Sequence, residues 1–89
     1  MFYIYSKPNC PGCLQTKRLL HSEHKPYTEI MLDVKQPKMT GMFYFKLEEL
    51  EAKVPGVKSV PQIFLDDTYI GGLVELHTYL ENLNSTLSR

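Results

Sequence analysis

The sequence predicts an α/β fold: a small four-stranded mixed sheet flanked by three helices, in the order β-α-β-α-β-β-α. Strand-like and helix-like segments alternate along the chain, which favours a sheet covered by helices. The 89 residues suffice for one small core, so we expect a single domain over residues 1–89. With 43% hydrophobic and 22% charged residues, the composition excludes an intrinsically disordered chain.

The first third of the chain predicts a βαβ unit. Phe2 to Tyr5 is aromatic and β-branched, as is typical of a strand, and Tyr27 to Leu32 has the same character. Between them, Pro11 suits the first position of a helix that continues to about Ser22. The two strands should therefore be parallel, with a right-handed crossover.

The middle of the chain is predicted as a loop followed by a helix. Asp33 to Met42 contains Pro37 and Gly41 among polar residues, which favours a loop. Apolar residues then recur at helical spacing until Pro55-Gly56: Phe43, Leu47, Leu50 and Val54. We expect this face, including Phe43 and Leu47, to belong to the core.

The last third predicts a β-hairpin and a closing helix. Two short strands flank a possible turn at Asp66-Asp67, and Gly71-Gly72 ends the second strand. The helix follows from an apolar stripe of Leu73, Leu76, Leu80 and Leu83. Asn84 to Arg89 is expected to be a frayed tail.

Charge and hydropathy limit the classes of partner. Ten basic and ten acidic residues give a formal net charge of zero, so no general attraction to nucleic acid or an anionic membrane is expected. No apolar run is long enough for a transmembrane helix, and the N-terminus lacks the pattern of a signal peptide. We therefore expect a soluble, cytoplasmic monomer.

The two cysteines, Cys10 and Cys13, form one C-x-x-C pair between the first strand and the first helix. A bridge across three residues closes a very short loop, so the pair is better suited to redox chemistry than to stapling a fold. Two inert thiols or an inert disulfide remain alternatives. A metal site with His21 and His24 is another, although their spacing from Cys13 is short for a zinc motif, and we expect no metal.

Three motifs, in order and covering nearly the whole chain, resemble those of dithiol glutaredoxins. They are Lys7-Pro8-Asn9-Cys10-Pro11-Gly12-Cys13, Ser59-Val60-Pro61-Gln62-Ile63-Phe64 and Ile70-Gly71-Gly72. The resemblance implies a thioredoxin-like fold and a glutathione-dependent thiol–disulfide oxidoreductase. It implies no tightly bound cofactor, with glutathione as the reducing co-substrate. Disulfide-containing proteins, including ribonucleotide reductase, would be its substrates.

Cys10 is the expected nucleophile and Cys13 the resolving thiol. An unperturbed cysteine has a pKa of about 8.5, so little thiolate is present at neutral pH. A helix N-terminus at Cys10 and the positive charge of Lys7 would both lower this pKa. Cys13, one turn into the helix, would then attack the mixed disulfide formed at Cys10.

The resemblance also implies a glutathione site. A cis Val60–Pro61 bond would present the Val60 backbone to an extended substrate. Gly71 and Gly72 would allow close approach to the amides of the last helix, where a γ-glutamyl carboxylate could bind. The remaining predicted glutathione-binding residues are Lys7, Pro11, Gly12 and Glu75, the last toward the ligand ammonium.

Two departures from the family pattern touch this site. Gly12 replaces the usual aromatic residue, and Val74 stands where an aspartate is common, so we expect weaker glutathione binding than in a typical member. A thioredoxin-like carrier reduced by a flavoprotein reductase is therefore an alternative function. A metal or iron–sulfur module is a further one, although Pro11 argues against a cluster, and a redox-inert interaction domain is the last.

Overall fold

The computed structural model describes residues 1–32, 43–45 and 47–87, with backbone only for 43–45 and 84–87. The strands are β1 (Phe2–Ser6), β2 (Tyr27–Leu32), β3 (Phe43–Phe45), β4 (Gln62–Leu65) and β5 (Thr68–Gly71). The helices are α1 (Pro11–Ser22), α2 (Leu47–Lys53) and α3 (Leu73–Leu87). The expected loop at Asp33–Met42 lies outside the described residues.

The sheet has the strand order β3-β2-β1-β4-β5. β1 and β2 are parallel, as expected of the βαβ unit, and β4 pairs antiparallel with both β1 and β5. The hairpin turn at Asp66-Asp67 is present, with Asp66 at φ 52°. The four predicted strands and three predicted helices are thus confirmed, and the fold is thioredoxin-like.

The sheet also contains a fifth strand that the sequence pattern did not predict. β3 pairs parallel with β2, with Ile30 opposite Phe43, and helix α2 begins only at Leu47. The prediction of a helix from Phe43 was therefore wrong. Phe43-Tyr44-Phe45 is aromatic throughout, so strand propensity and a free edge on β2 prevail over the helical spacing.

Apolar residues alternate between the two faces of the sheet. Phe2, Ile4 and Ile63 pack under α1 and α3 with Leu20 and Leu76. The opposite face carries Tyr5 and Phe64, which pack against Leu50 of α2. The core therefore has two apolar layers, one on each face of the same sheet.

Two other boundary predictions changed. Leu47 was expected in the core, but it is 48% exposed at the first turn of α2, so that prediction was wrong. α3 continues to Leu87, so most of the expected frayed tail is helical. Ser88 and Arg89 lie outside the described residues. None of the helices in the described part of the chain is long and apolar enough to cross a membrane.

Candidate active site

The two cysteines lie at the beginning of α1 and form a disulfide with a Cα–Cα separation of 5.2 Å. Cys10 is the N-cap residue with extended backbone, and Pro11 occupies the first helical position, where a missing amide hydrogen costs nothing. Cys10 is half-buried, whereas Cys13 is only 2% exposed. An external disulfide can therefore reach Cys10 more readily than Cys13.

The local backbone favours negative charge on Cys10. The Cys13 amide donates a hydrogen bond to Cys10 Sγ at 3.1 Å, and no acidic residue stands in the first turn of α1. In the reduced protein, this amide and the helix N-terminus would therefore stabilise negative charge on the Cys10 sulfur. The Thr16 hydroxyl donates to the Gly12 carbonyl at 2.8 Å and holds this first turn.

The loop before β4 lies directly against the cysteines. Val60–Pro61 is a cis peptide bond, as the resemblance implied, and the Val60 carbonyl oxygen is 3.8 Å from Cys10 Sγ. A methyl group built on Gly12 would lie 3.4 Å from Pro61 Cδ. The structure therefore brings Cys10, Gly12, Val60 and Pro61 together.

Residues after Pro61 hold this loop in place, and sequence reasoning gave them no firm role. The Gln62 side chain donates to the Ser59 carbonyl at 2.9 Å and accepts from the Tyr69 hydroxyl at 2.5 Å. Burial, and then the nearby Glu75 carboxylate, raises the pKa of Tyr69 above its ordinary value. Tyr69 therefore stays protonated and keeps donating to Gln62 at neutral pH.

The N-terminus of α3 approaches the same loop. A methyl group on Gly72 would lie 3.5 Å from the Pro61 carbonyl oxygen, and Gly71 has φ 125°, which favours glycine. The Gly72 amide donates to Glu75 Oε1 at 2.7 Å. Glu75, predicted to face a ligand ammonium, thus caps its own helix in this structure.

Lys7 lines a cleft that both cysteines also line. This cleft has a volume of about 450 Å³, within the range of small-ligand sites. Its lining residues are Lys7, Pro8, Asn9, Cys10, Pro11, Cys13, Leu14, Lys17, Glu29 and Met31. A larger cavity of about 580 Å³ is lined by Tyr5, Phe64 and Lys53 among others and by neither cysteine, so it is not the redox site.

Metal binding finds no support in the described part of the chain. No group of three or more His, Cys, Asp or Glu side chains is placed there to hold a metal ion. His21 and His24 are exposed at the end of α1.

A dithiol at a helix N-terminus, facing a cis-proline loop, is suited to thiol–disulfide exchange. A family model described as glutaredoxin matches residues 3–70 of this chain. The chain belongs to the glutaredoxin family. Glutaredoxins are thiol–disulfide oxidoreductases, and this one has the required cysteine pair.

Individual glutaredoxins are similar over most of the chain. Glutaredoxin 3 of Escherichia coli is 35% identical over 74 residues, which are 83% of this chain and 78% of that protein. A glutaredoxin of Neisseria meningitidis is 33% identical over 75 residues, with the same coverage. The structure of reduced E. coli glutaredoxin has a TM-score of 0.67 and 29% identity, covering 93% of this chain and 96% of that one.

Proposed function

We propose that this glutaredoxin uses glutathione to reduce protein disulfides and glutathione mixed disulfides. The observation that carries the proposal is the position of Cys10 Sγ. This atom accepts a hydrogen bond from the Cys13 amide at 3.1 Å and lies 3.8 Å from the Val60 carbonyl oxygen. An extended peptide passing Val60 could pair with its backbone and present a sulfur to Cys10. Members of the family use glutathione as the reducing co-substrate.

The proposed reaction with a protein disulfide has two exchange steps. The Cys10 thiolate attacks one substrate sulfur, forms a mixed disulfide and releases the other substrate sulfur as a thiolate, which takes up a proton. The Cys13 thiolate then attacks Cys10 Sγ, forms the Cys10–Cys13 disulfide and releases the reduced substrate. Two glutathione molecules reduce this disulfide and leave as oxidised glutathione.

The unequal burial of the two sulfurs supports these roles. Cys13 is almost fully buried, so its accessible target is Cys10, one turn away on α1. A glutathione mixed disulfide needs only Cys10, because a second glutathione can release Cys10 directly. Lys7 lines the cleft beside both cysteines, where its charge would favour the thiolate and a substrate carboxylate.

The first test is turnover of a small glutathione mixed disulfide, coupled to glutathione reductase and NADPH. Wild type, Cys10→Ser and Cys13→Ser are compared. We expect activity in wild type and Cys13→Ser and none in Cys10→Ser. A wild-type protein with titratable thiols but no glutathione-dependent turnover would contradict the proposal.

The surroundings of Gly72 favour one alternative, a carrier reduced by a flavoprotein reductase. Val74 is 72% exposed and cannot bind an ammonium group, and Glu75 Oε1 is occupied by the Gly72 amide. Replacing glutathione and its reductase by a thioredoxin reductase separates the two functions. NADPH oxidation that depends on the flavoprotein and not on glutathione would establish the carrier.

Among protein substrates, we propose ribonucleotide reductase as the partner, by family analogy. We also propose that the protein acts in the cytoplasm as a monomer. The proposal of a protein substrate is supported by Cys10, which is only half-buried and belongs to a dithiol that can deliver two electrons per cycle. The measurement is deoxyribonucleotide formation by a purified reductase with this protein as the sole dithiol donor. No formation above the Cys10→Ser background would reject this partner.

A further inference from the structure

An ion pair lies under α1 in the cleft that contains both cysteines. Lys17 Nζ is 3.0 Å from Glu29 Oε2, and the fully buried Ser6 hydroxyl donates to the same oxygen at 2.7 Å. The side chains are only 27% and 17% exposed, respectively. Glu29 is therefore a carboxylate on the helix-covered face of β2, where strand alternation would ordinarily place an apolar residue.

Such an ion pair is expected to contribute little to the stability of the fold. Removing two charges from water costs several kcal/mol per ion, and apolar side chains of similar volume are often equally stabilising at such positions. The neighbouring positions on this face follow the ordinary pattern, since Tyr27 packs on the apolar cluster under α1 and α3. The charge at Glu29 therefore calls for an explanation in the chemistry of the cleft.

The ion pair and the two cysteines line the same cleft. Lys17 is four residues after Cys13 on α1, so the two side chains share one helix face, and both line the cleft with Glu29. Within the described residues, the ionisable side chains lining this cleft besides the cysteines are Lys7, Lys17 and Glu29. Lys7 is exposed to solvent, which leaves the Lys17–Glu29 pair as the partly buried charge.

We propose that Glu29 is a positioning residue that neutralises Lys17 and thereby sets the reduction potential of the Cys10–Cys13 dithiol. An unpaired Lys17 would stabilise the thiolate, and hence the reduced protein. An unpaired Glu29 would do the opposite. The inference needs only the dithiol–disulfide couple and holds whether glutathione or a flavoprotein is the reductant.

The test is the redox equilibrium of the full chain in glutathione buffers, measured by trapping free thiols. Glu29→Gln keeps the shape and the Ser6 contact but leaves Lys17 unpaired. We expect it to shift the equilibrium toward the dithiol by about threefold to tenfold, or roughly 15 to 30 mV. Lys17→Met should shift it by a similar factor toward the disulfide, and the double variant should return close to wild type.

Opposite signs distinguish this role from a packing role. The apparent pKa of Cys10, followed by thiolate absorbance, should fall in Glu29→Gln and rise in Lys17→Met. Glu51→Gln, at an exposed position of α2, is the matched control and should leave both quantities unchanged. Shifts of the same sign in both variants, or none beyond the control, would overturn the proposal.

A second comparison covers the case in which Glu29→Gln does not fold. Lys17 remains 27% exposed, and methionine and arginine are both long, unbranched side chains, so Lys17→Met and Lys17→Arg differ mainly in charge. Lys17→Arg should keep the wild-type equilibrium while Lys17→Met moves toward the disulfide. Equal equilibria in these two variants would overturn the proposal on their own. A failed glutathione turnover assay would leave the result unaffected, because the potential is measured at equilibrium.

Discussion

At the scale of single residues, Val74 is the position at which we expect the proposed glutathione site to be weakest. Its side chain is 72% exposed at the first turn of α3, two residues after Gly72. An apolar side chain there offers no partner to the ammonium group of a glutathione molecule. Affinity for glutathione should therefore be limited by this position.

Val74→Asp should lower the KM for glutathione by about threefold to tenfold, because a carboxylate gains a charge-assisted hydrogen bond. Steady-state kinetics with glutathione as the varied substrate measure it. Leu47→Asp, on the distant and equally exposed start of α2, serves as the matched control. An unchanged KM in Val74→Asp would show that the ligand ammonium lies elsewhere.

Tyr69 predicts a specific pH dependence of stability. Its pKa is raised above 10.0 in the folded protein, mainly by burial and then by Glu75. The folded state therefore keeps the phenol proton longer than the unfolded state. The resulting stabilisation is complete below about pH 10 and is lost as the pH rises through the folded pKa.

The variant Tyr69→Phe should therefore show a shallower loss of unfolding free energy above about pH 10 than wild type. Urea unfolding at a series of alkaline pH values gives the two curves. Since the phenol is partly exposed, only the sign of the difference is predicted. Parallel curves for the two proteins would contradict the role assigned to the Tyr69 proton.

At the scale of secondary-structure elements, the first turn of α1 combines a functional sulfur with a weak helix former. Gly12 has helical backbone, and a methyl group there would meet Pro61 Cδ at an ordinary contact distance of 3.4 Å. Gly12→Ala should therefore raise the free energy of unfolding by about 0.5 to 1 kcal/mol. Urea denaturation of both proteins in the oxidised state tests this, and a loss of stability would mean that the Pro61 loop cannot yield.

The elements also show where sequence patterns suffice. β1, α1 and β2 were predicted almost to the residue, because aromatic runs, Pro11 and the C-x-x-C pair mark their boundaries. For residues 43–54 the sequence pattern predicted the wrong start of the helix. Phe43 fits both the helical spacing with Leu47 and Leu50 and an edge strand of a sheet. Pairing with Ile30 of β2 decides that choice, and such a contact between distant residues is invisible to a local pattern.

The candidate site divides in the same way. Cys10, Val60, Pro61 and Gly72 could be named as candidates from the sequence, because each belongs to a short motif, and their roles stay predictions. Lys17 and Glu29 were not named, although a charged residue within the apolar pattern of β2 was a usable signal. Their pairing depends on the packing of α1 over the sheet, which short motifs do not encode.

At the scale of the whole molecule, the stability of the fold comes mainly from two apolar layers, one packed on each face of the sheet. Leu76 is fully buried with Phe2, Ile4 and Ile63 between α3 and the strands. A domain of this size has a total stability of about 5 to 10 kcal/mol, so losing one such side chain removes a large fraction.

Leu76→Ala should lower the free energy of unfolding by about 2 to 4 kcal/mol. Leu47→Ala, at a half-exposed position, should change it by less than about 0.5 kcal/mol. Urea unfolding followed by circular dichroism gives both values. Similar losses in the two variants would contradict the burial pattern.

The unequal exposure of the two sulfurs has a consequence under oxidative stress. We expect peroxide to reach the half-buried Cys10 before Cys13 and to oxidise its thiolate to a sulfenic acid. Cys13, one turn away and shielded at 2% exposure, can condense with it and release water before a second peroxide arrives. Cys13 would thereby convert the sulfenic acid, which further oxidation would make irreversible, into the same Cys10–Cys13 disulfide that forms in the proposed catalytic cycle.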